Sequence, residues 1–168
     1  MDELEDLTAL RGRRHELDRR ELDLIDRARH AGATWAQIAA ALGLTSRQAA
    51  EQRRHRLRSA TLARRQDQDL AYAQSIAALR TAVLELHRHL MADRLWDTRF
   101  TRAALIRRTL EAAIDAAPGG LFSLTTQALA DLRLSGRAVV PRLVRGAADA
   151  LADALRAASP AGGSARSA

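Results

Sequence analysis

The 168-residue sequence contains no cysteine and no lysine, and aromatic residues make up only 3% of it. The absence of cysteine excludes disulfides and thiolate chemistry. With so few aromatic rings, a core must be built from Leu, Ala, Ile and Val, and the abundance of good helix formers favours an all-α fold. No apolar run approaches the roughly 20 residues of a membrane-spanning helix, and the first residues are acidic, unlike a secretory signal. We therefore expect a cytoplasmic protein without membrane contact.

Positive charge is concentrated in one part of the chain. The formal net charge is +7, and all 27 basic residues are arginines. Residues 1–31 carry seven arginines and nine acids, whereas residues 32–66 carry seven arginines and a single acid, Glu51. A solvated helix face usually alternates its charges so that neighbours one turn apart can pair. The unbalanced stretch therefore favours a polyanionic partner.

Glycine, proline and capping residues divide the chain into helical segments. The predicted helices are 2–31, 35–42, a long helix from about Thr45 or Ser46 to beyond residue 90, 97–117, 123–134 and one that includes 143–155. Gly12 is a candidate break in the first helix, while Gly32 and Gly43 are candidate caps. Pro118 and the two glycines after it are expected to end a helix, and Ser123 is expected to cap the next one.

Within the long helix, five apolar residues step by three and four positions and form a seam of about two heptads. They are Ile76, Leu79, Val83, Leu86 and Leu90. Such a seam suits the interface of a homodimer, and it suits a helix of an intramolecular bundle equally well. The sequence leaves both interpretations open.

The stretch GATWAQIAAALGLTSRQAAEQRRHRL, residues 32–57, joins a short alanine-rich helix to an arginine-rich one. Two helices that cross closely need small residues at the contact, a residue that tolerates positive φ at the turn, and apolar residues that hold them together. Ala39 and Ala49 suit the contact, and Gly43 suits the turn. The predicted core of this motif is Trp35, Ile38, Ala39, Leu42, Gly43, Leu44 and Ala49. At the inward position after Ala49, where an apolar residue is expected, the sequence has Gln52.

If the second helix of this pair reads DNA, its N-terminal part lies in the major groove. Arg and Gln side chains bind guanine and adenine edges in bidentate fashion, and Glu accepts a hydrogen bond from cytosine. The predicted base contacts are Arg47, Gln48, Glu51 and Arg54. Hydroxyl groups at helix N-termini and additional arginines suit phosphate oxygens. The predicted phosphate contacts are Thr34, Ser46, Arg53, Arg56 and Arg58.

The segment TWAQIAAALGL followed by SRQAAEQR resembles the sequences of helix-turn-helix transcriptional regulators of actinobacterial type, including regulators of small heat-shock proteins. It is also distantly similar to the promoter-reading helix-turn-helix of sigma factors. The resemblance covers about residues 20–58, and it implies a three-helix DNA-binding unit, a role in transcription and a place in the bacterial nucleoid.

The expected architecture is an all-α chain with a helix-turn-helix unit, a long connecting helix and a C-terminal helical bundle. The expected segments are a helix-turn-helix unit at 1–60, a connecting or dimerisation helix at 61–96, a C-terminal helical module at 97–158 and a disordered tail at 159–168. The expected partners are double-stranded DNA and a second copy of the chain; contact with RNA polymerase stays open.

Two other classes of function fit the same pattern. The first is an architectural or packaging DNA-binding protein, similar to a nucleoid-associated protein or a phage terminase small subunit. The second is a helical protein–protein adaptor. The simplest alternative is a helical hairpin whose arginines are merely solvated.

Motifs for catalysis and metal binding are weak or missing. No nucleophile elbow, phosphate loop or HExxH motif occurs in the sequence. His87 and His89 are two positions apart on a helix and therefore point in divergent directions, so they do not chelate one ion together. We expect no enzyme activity, no cofactor and no metal.

Overall fold

A computed structural model describes residues 2–136 and 140–159, and these residues are helical apart from turns and short connections. The elements are α1 (Asp2–His30), α2 (Trp35–Ala41), α3 (Arg47–Ala92), a short 3-10 helix (Trp96–Thr98), α4 (Ala103–Ile114), α5 (Pro118–Leu134) and α6 (Arg142–Ala158). The described residues contain no strand, so the all-α prediction is confirmed. None of the described helices has the length and apolarity needed to cross a membrane. Except for Ser159, the tail predicted to be disordered lies outside the described residues.

The chain forms two compact units, Met1–Asp69 and Leu70–Ala168. The boundary between them falls inside α3, which contributes residues to both. The functional segments expected from the sequence, 1–60, 61–96 and 97–158, stay predictions.

The N-terminal unit has a small apolar core to which three helices contribute. Its buried apolar residues are Leu22 and Ile25 of α1, Ile38 and Ala39 of α2, and Ala50 and Leu57 of α3. The candidate break at Gly12 is not present, because α1 runs without interruption through this position. One exposed glycine costs a helix only about 1 kcal/mol, which does not end a helix of 29 residues.

The C-terminal unit has a larger core made by the second half of α3 and the helices that follow it. Trp96 is fully buried, packs edge-to-face on Phe100 with 5.2 Å between ring centroids, and donates a hydrogen bond from Nε1 to the Ala103 carbonyl at 2.8 Å. These contacts turn the chain between α3 and α4. The helix expected from residue 97 or 98 to 117 therefore begins only at Ala103 and ends at Ile114.

The heptad seam on α3 packs inside this unit. Leu79, Val83, Leu86 and Leu90 are buried in one cluster with residues of α4, α5 and α6, and Ile76 is partly buried and packs against the same cluster. Because these side chains are covered by their own chain, they are not free to form the dimer seam expected from the sequence. Of the two interpretations that the sequence left open, the intramolecular bundle accounts for this seam.

The start of α5 also differs from the prediction. Pro118 is its first residue, and Ser123 lies inside the helix and donates to the Gly119 carbonyl at 3.0 Å. The predicted cap at Ser123 is therefore wrong. Proline lacks an N–H, and its fixed φ suits the first helical position, so Pro118 begins this helix in addition to separating it from α4.

Candidate nucleic-acid interface

The two turns of the N-terminal unit, the first at Gly32 and the second at Gly43, have the same backbone conformation. Gly32 and Gly43 adopt left-handed φ angles of +89° and +65°. After α2, the N–H of Gly43 bonds the Ala40 carbonyl at 3.1 Å and the N–H of Leu44 bonds the Ala39 carbonyl at 2.8 Å. This hydrogen-bond pattern is a Schellman motif, which satisfies the last carbonyls of a helix and favours glycine at the left-handed position. The expected positive φ at Gly43 is confirmed.

Hydroxyl groups cap the helices on either side of the second turn. Thr34 and Gln37 form a capping box, in which the Gln37 N–H donates to Thr34 Oγ1 at 3.3 Å and the Thr34 N–H donates to Gln37 Oε1 at 2.8 Å. Ser46 Oγ accepts the Ala49 N–H at 3.1 Å at the start of α3. The two hydroxyls expected to bind phosphate therefore cap helices, although both residues are exposed.

The register of α3 differs by one residue from the expected register. Ala50 is fully buried, whereas Ala49, assigned from the sequence to the inward position, is only half-buried. The reason is that Leu57, seven residues after Ala50, falls on the same face and is also buried. The apparent irregularity at Gln52 follows from the wrong register, because Gln52 is exposed. The other apolar residues of the predicted motif core are buried in this cluster or packed against it: Trp35, Ile38, Ala39, Leu42 and Leu44.

Two arginines of α3 face α1 and are paired with its acids. Arg53 donates from Nε and one terminal nitrogen to Glu21 at 2.9 and 2.7 Å, and it also lies 3.3 Å from Asp18. The hydrogen bond from Arg53 lowers the pKa of the Glu21 carboxyl, and the same bond raises the pKa of Arg53. Arg54 Nε lies 2.5 Å from an Asp26 oxygen. The expected DNA contacts at these arginines therefore compete with internal ion pairs.

The opposite side of α3 carries a polar, uncharged stripe. Because successive helix residues are about 100° apart, the stripe lies roughly opposite Ala50 and Leu57. It consists of the exposed residues Gln48, Gln52, His55 and Ser59. Sequence reasoning included only Gln48 among the expected contacts. Leu57, which is buried, marks the inward face correctly and identifies the other three residues as outward-facing.

Arginines border this stripe on both sides. Arg47 and Arg58 lie on one flank and Arg56 on the other, and all three are exposed. Among the residues that the structure describes, none of the three has a carboxylate partner. Glu51, an expected base contact, is exposed on the same flank as Arg58. The outward face thus combines amide and imidazole groups with three guanidinium groups that form no direct ion pair among the described residues, and with one carboxylate.

An aromatic contact completes the packing of the first turn, at Gly32. The Arg29 guanidinium lies 4.9 Å from the centre of the Trp35 ring, a cation–π geometry. Trp35 itself is half-buried against the small core. This contact fixes the beginning of α2 relative to the end of α1.

Within the described part of the chain, no group of three or more His, Asp or Glu side chains is placed to hold a metal ion. Comparisons with protein-family models, with curated proteins and with solved structures give no match to this chain.

Proposed function

We propose that this chain is a sequence-specific DNA-binding protein that regulates transcription and reads the major groove with the first turns of α3. The observation that carries the proposal is the division of charge on α3. Its inward arginines are paired with α1, while its outward polar stripe lies between arginines that have no partner among the described residues. A polyanion that approaches this side neutralises the outward arginines without breaking an internal ion pair.

The side chains on this stripe suit base edges. Glutamine can donate to and accept from adenine N7 and N6 in bidentate fashion, and a histidine N–H can donate to guanine acceptors. Gln48 and Gln52 are one turn apart, about 6 Å along the helix, which is close to two base-pair steps. We therefore assign base contacts to Gln48, Gln52 and His55, and phosphate contacts to Arg47, Arg56 and Arg58.

The local architecture supports the same orientation. In a helix-turn-helix, the second helix enters the major groove with its N-terminal residues while the first crosses the backbone. Helix α3 begins at Arg47, four residues after Gly43, and its free N–H groups and dipole favour a nearby phosphate. We accordingly propose that α1, α2 and the start of α3 form a three-helix DNA-reading unit. A protein with this function would act at the bacterial nucleoid.

An architectural or packaging DNA-binding protein is the second candidate. The observation that favours it is the continuation of exposed arginine along α3 beyond the stripe, at Arg65. Charge spread along a helix binds phosphates without regard to sequence. The two candidates differ in one measurable property, the preference for particular base pairs.

Selection of bound duplexes from a random DNA pool tests the proposal. We expect an enriched consensus, with preference lost at defined positions in Gln48→Ala and Gln52→Ala, since one bidentate contact contributes about 1–3 kcal/mol of discrimination. Gln127→Ala, an exposed glutamine of α5, is the matched control and should leave the consensus unchanged. Binding without an enriched consensus would contradict the proposed regulator and support an architectural DNA-binding protein. If the chain bound no DNA at low salt, both DNA-binding proposals would be rejected, and a helical protein–protein adaptor would be favoured.

A further inference from the structure

A second apolar line runs along α3 on the side away from the C-terminal core. Leu70, Ala77, Leu84 and Met91 follow one another at intervals of seven residues, and all four are exposed. The three large side chains are 61%, 40% and 57% exposed, respectively. An interval of seven keeps side chains on one face when two helices wind around each other. This outer line is distinct from the seam that α3 buries inside the unit.

We propose that the outer line of α3 is the homodimer interface of this protein and that it binds the outer line of a second copy in antiparallel orientation. The two-fold axis passes beside Ala77. Leu70 then packs on Leu84 of the partner subunit, and Ala77 packs on Ala77 of the partner subunit. This proposal retains the homodimer expected from the sequence, but its interface lies on the face of α3 that points away from the buried heptad seam.

The polar residues beside the line support a second copy as the occupant. Asp67 lies three positions before Leu70 and Arg88 lies four positions after Leu84, on the same flank. In the antiparallel pair, Asp67 meets Arg88 of the partner subunit, and symmetry forms this ion pair twice. Gln74 meets Thr81 of the partner subunit on the same flank, and no like charges oppose each other there. A parallel pair would instead bring Asp67 level with Asp67 of the partner subunit.

The two charged residues are available for this contact. Asp67 is exposed and has no ion pair among the described residues. Arg88 has a surface ion pair with Glu85 at 2.6 Å, in which the two side chains are 71% and 47% exposed. Exposed pairs of this kind contribute little stability, so Arg88 can exchange its partner when the dimer forms.

A similar apolar line on α1 has no free pair of opposite charges at the corresponding positions. Leu10, Leu17 and Leu24 are also seven residues apart and exposed. On the flank that corresponds to Gln74 and Thr81, an antiparallel pair centred on Leu17 would place Arg14 against Glu21 of the partner subunit, but Glu21 is already paired with Arg53 of α3. The α1 line therefore supplies a matched control of the same chemistry and spacing.

The mass of the full chain, measured by analytical ultracentrifugation without DNA over a wide concentration range, tests the interface. We expect two chains for the wild type and one chain for Leu70→Glu and Leu84→Glu at the same concentration. Leu17→Glu should remain dimeric. Circular dichroism establishes that each variant keeps the helical content of the wild type. Since DNA is absent, failure of this inference and failure of the proposed DNA binding are separate results.

Charge reversal tests the pairing of residues. Asp67→Arg and Arg88→Asp should each weaken the dimer roughly tenfold or more, because each places like charges together twice. The double variant should recover most of the wild-type affinity. Recovery follows only if the two positions face each other across the interface.

The orientation can be tested with cysteines, since the natural chain has none. A mixture of Gln74→Cys and Thr81→Cys chains should give a mixed disulfide on mild oxidation, while each variant alone should cross-link poorly. Self-cross-linking of each variant alone would show a parallel dimer and overturn the arrangement. A wild type that is a single chain at every concentration would overturn the interface itself, as would dissociation by Leu17→Glu but not by Leu84→Glu.

Discussion

The two units of the chain achieve order by different means. The C-terminal unit buries a large apolar cluster that includes Trp96 and the leucines of the α3 seam. The N-terminal unit buries far less, and two of its core residues are alanines, Ala39 and Ala50. It adds two Schellman turns, a capping box and the ion pair between Arg53 and Glu21. Because its core is smaller, we expect local hydrogen bonds and ion pairs to contribute a larger share of its stability.

The largest expected effect is a core deletion in the smaller unit. Leu57→Ala removes a buried leucine and should cost about 2–5 kcal/mol, which is comparable with the whole stability expected for a unit of this size. Hydrogen exchange should show loss of protection in residues 2–69. Leu86→Ala is the matched deletion in the larger core, and α4 to α6 should stay protected. Equal loss of protection in both units after either substitution would show that they do not differ as described.

A smaller effect is expected at the turn between α2 and α3. Gly43→Ala forces a side chain into left-handed φ and should cost about 1–2 kcal/mol, although nothing lies within 4 Å of the added carbon. Gly12→Ala, in a helical part of α1, should instead stabilise by about 0.5–1 kcal/mol. Urea unfolding of both variants measures whether each substitution lowers or raises the free energy of unfolding. A stabilising Gly43→Ala would mean that the turn does not require the left-handed conformation.

The ion pair between α1 and α3 should have a still smaller effect that depends on pH. The lowered pKa of Glu21 means that its contribution is present at neutral pH and is lost as pH falls below the unfolded value of about 4.3 towards the folded pKa. Allowing for solvent screening, Glu21→Gln should cost about 1 kcal/mol at neutral pH and should flatten the loss of stability on acidification. Urea unfolding midpoints of the wild type and the variant, measured as a function of pH, give the loss of stability at neutral pH and its dependence on pH.

Glu16→Gln is the control for this pH dependence. Glu16 pairs with Arg19 within α1, and the two side chains are 65% and 60% exposed. Its removal should change neither the midpoint nor its slope with pH appreciably. The same acid dependence in wild type and Glu21→Gln would contradict the assigned role of the ion pair.

Features decided by neighbouring residues could be predicted from the sequence. Gly32, Gly43 and the cap at Thr34 depend on backbone conformation within one turn, and the structure has them at the predicted places. Pro118 shows the limit of local reasoning. The same residue can end one helix or begin another, and only its position relative to the next helix decides which.

Features decided by distant residues could not be predicted in this way. Arg53 lies inward because Glu21, more than 30 positions earlier, accepts its hydrogen bonds. Without that partner an arginine is expected to face solvent, so the sequence predicts a register of α3 that is one residue away from the observed one and does not place Gln52 on the outward face. The α3 seam is similar, since the same heptad spacing serves packing within a chain and packing between chains.

The salt dependence of DNA affinity tests the central claim most directly. The claim is that the outward arginines of α3 contact phosphates, while arginines of the C-terminal unit do not. For Arg56→Ala/Arg58→Ala, the slope of log affinity against log salt concentration should become shallower by about two units. Arg94→Ala/Arg108→Ala removes two exposed arginines of the C-terminal unit and should leave the slope unchanged. An unchanged slope in the first variant, or an equal change in both, would contradict the account.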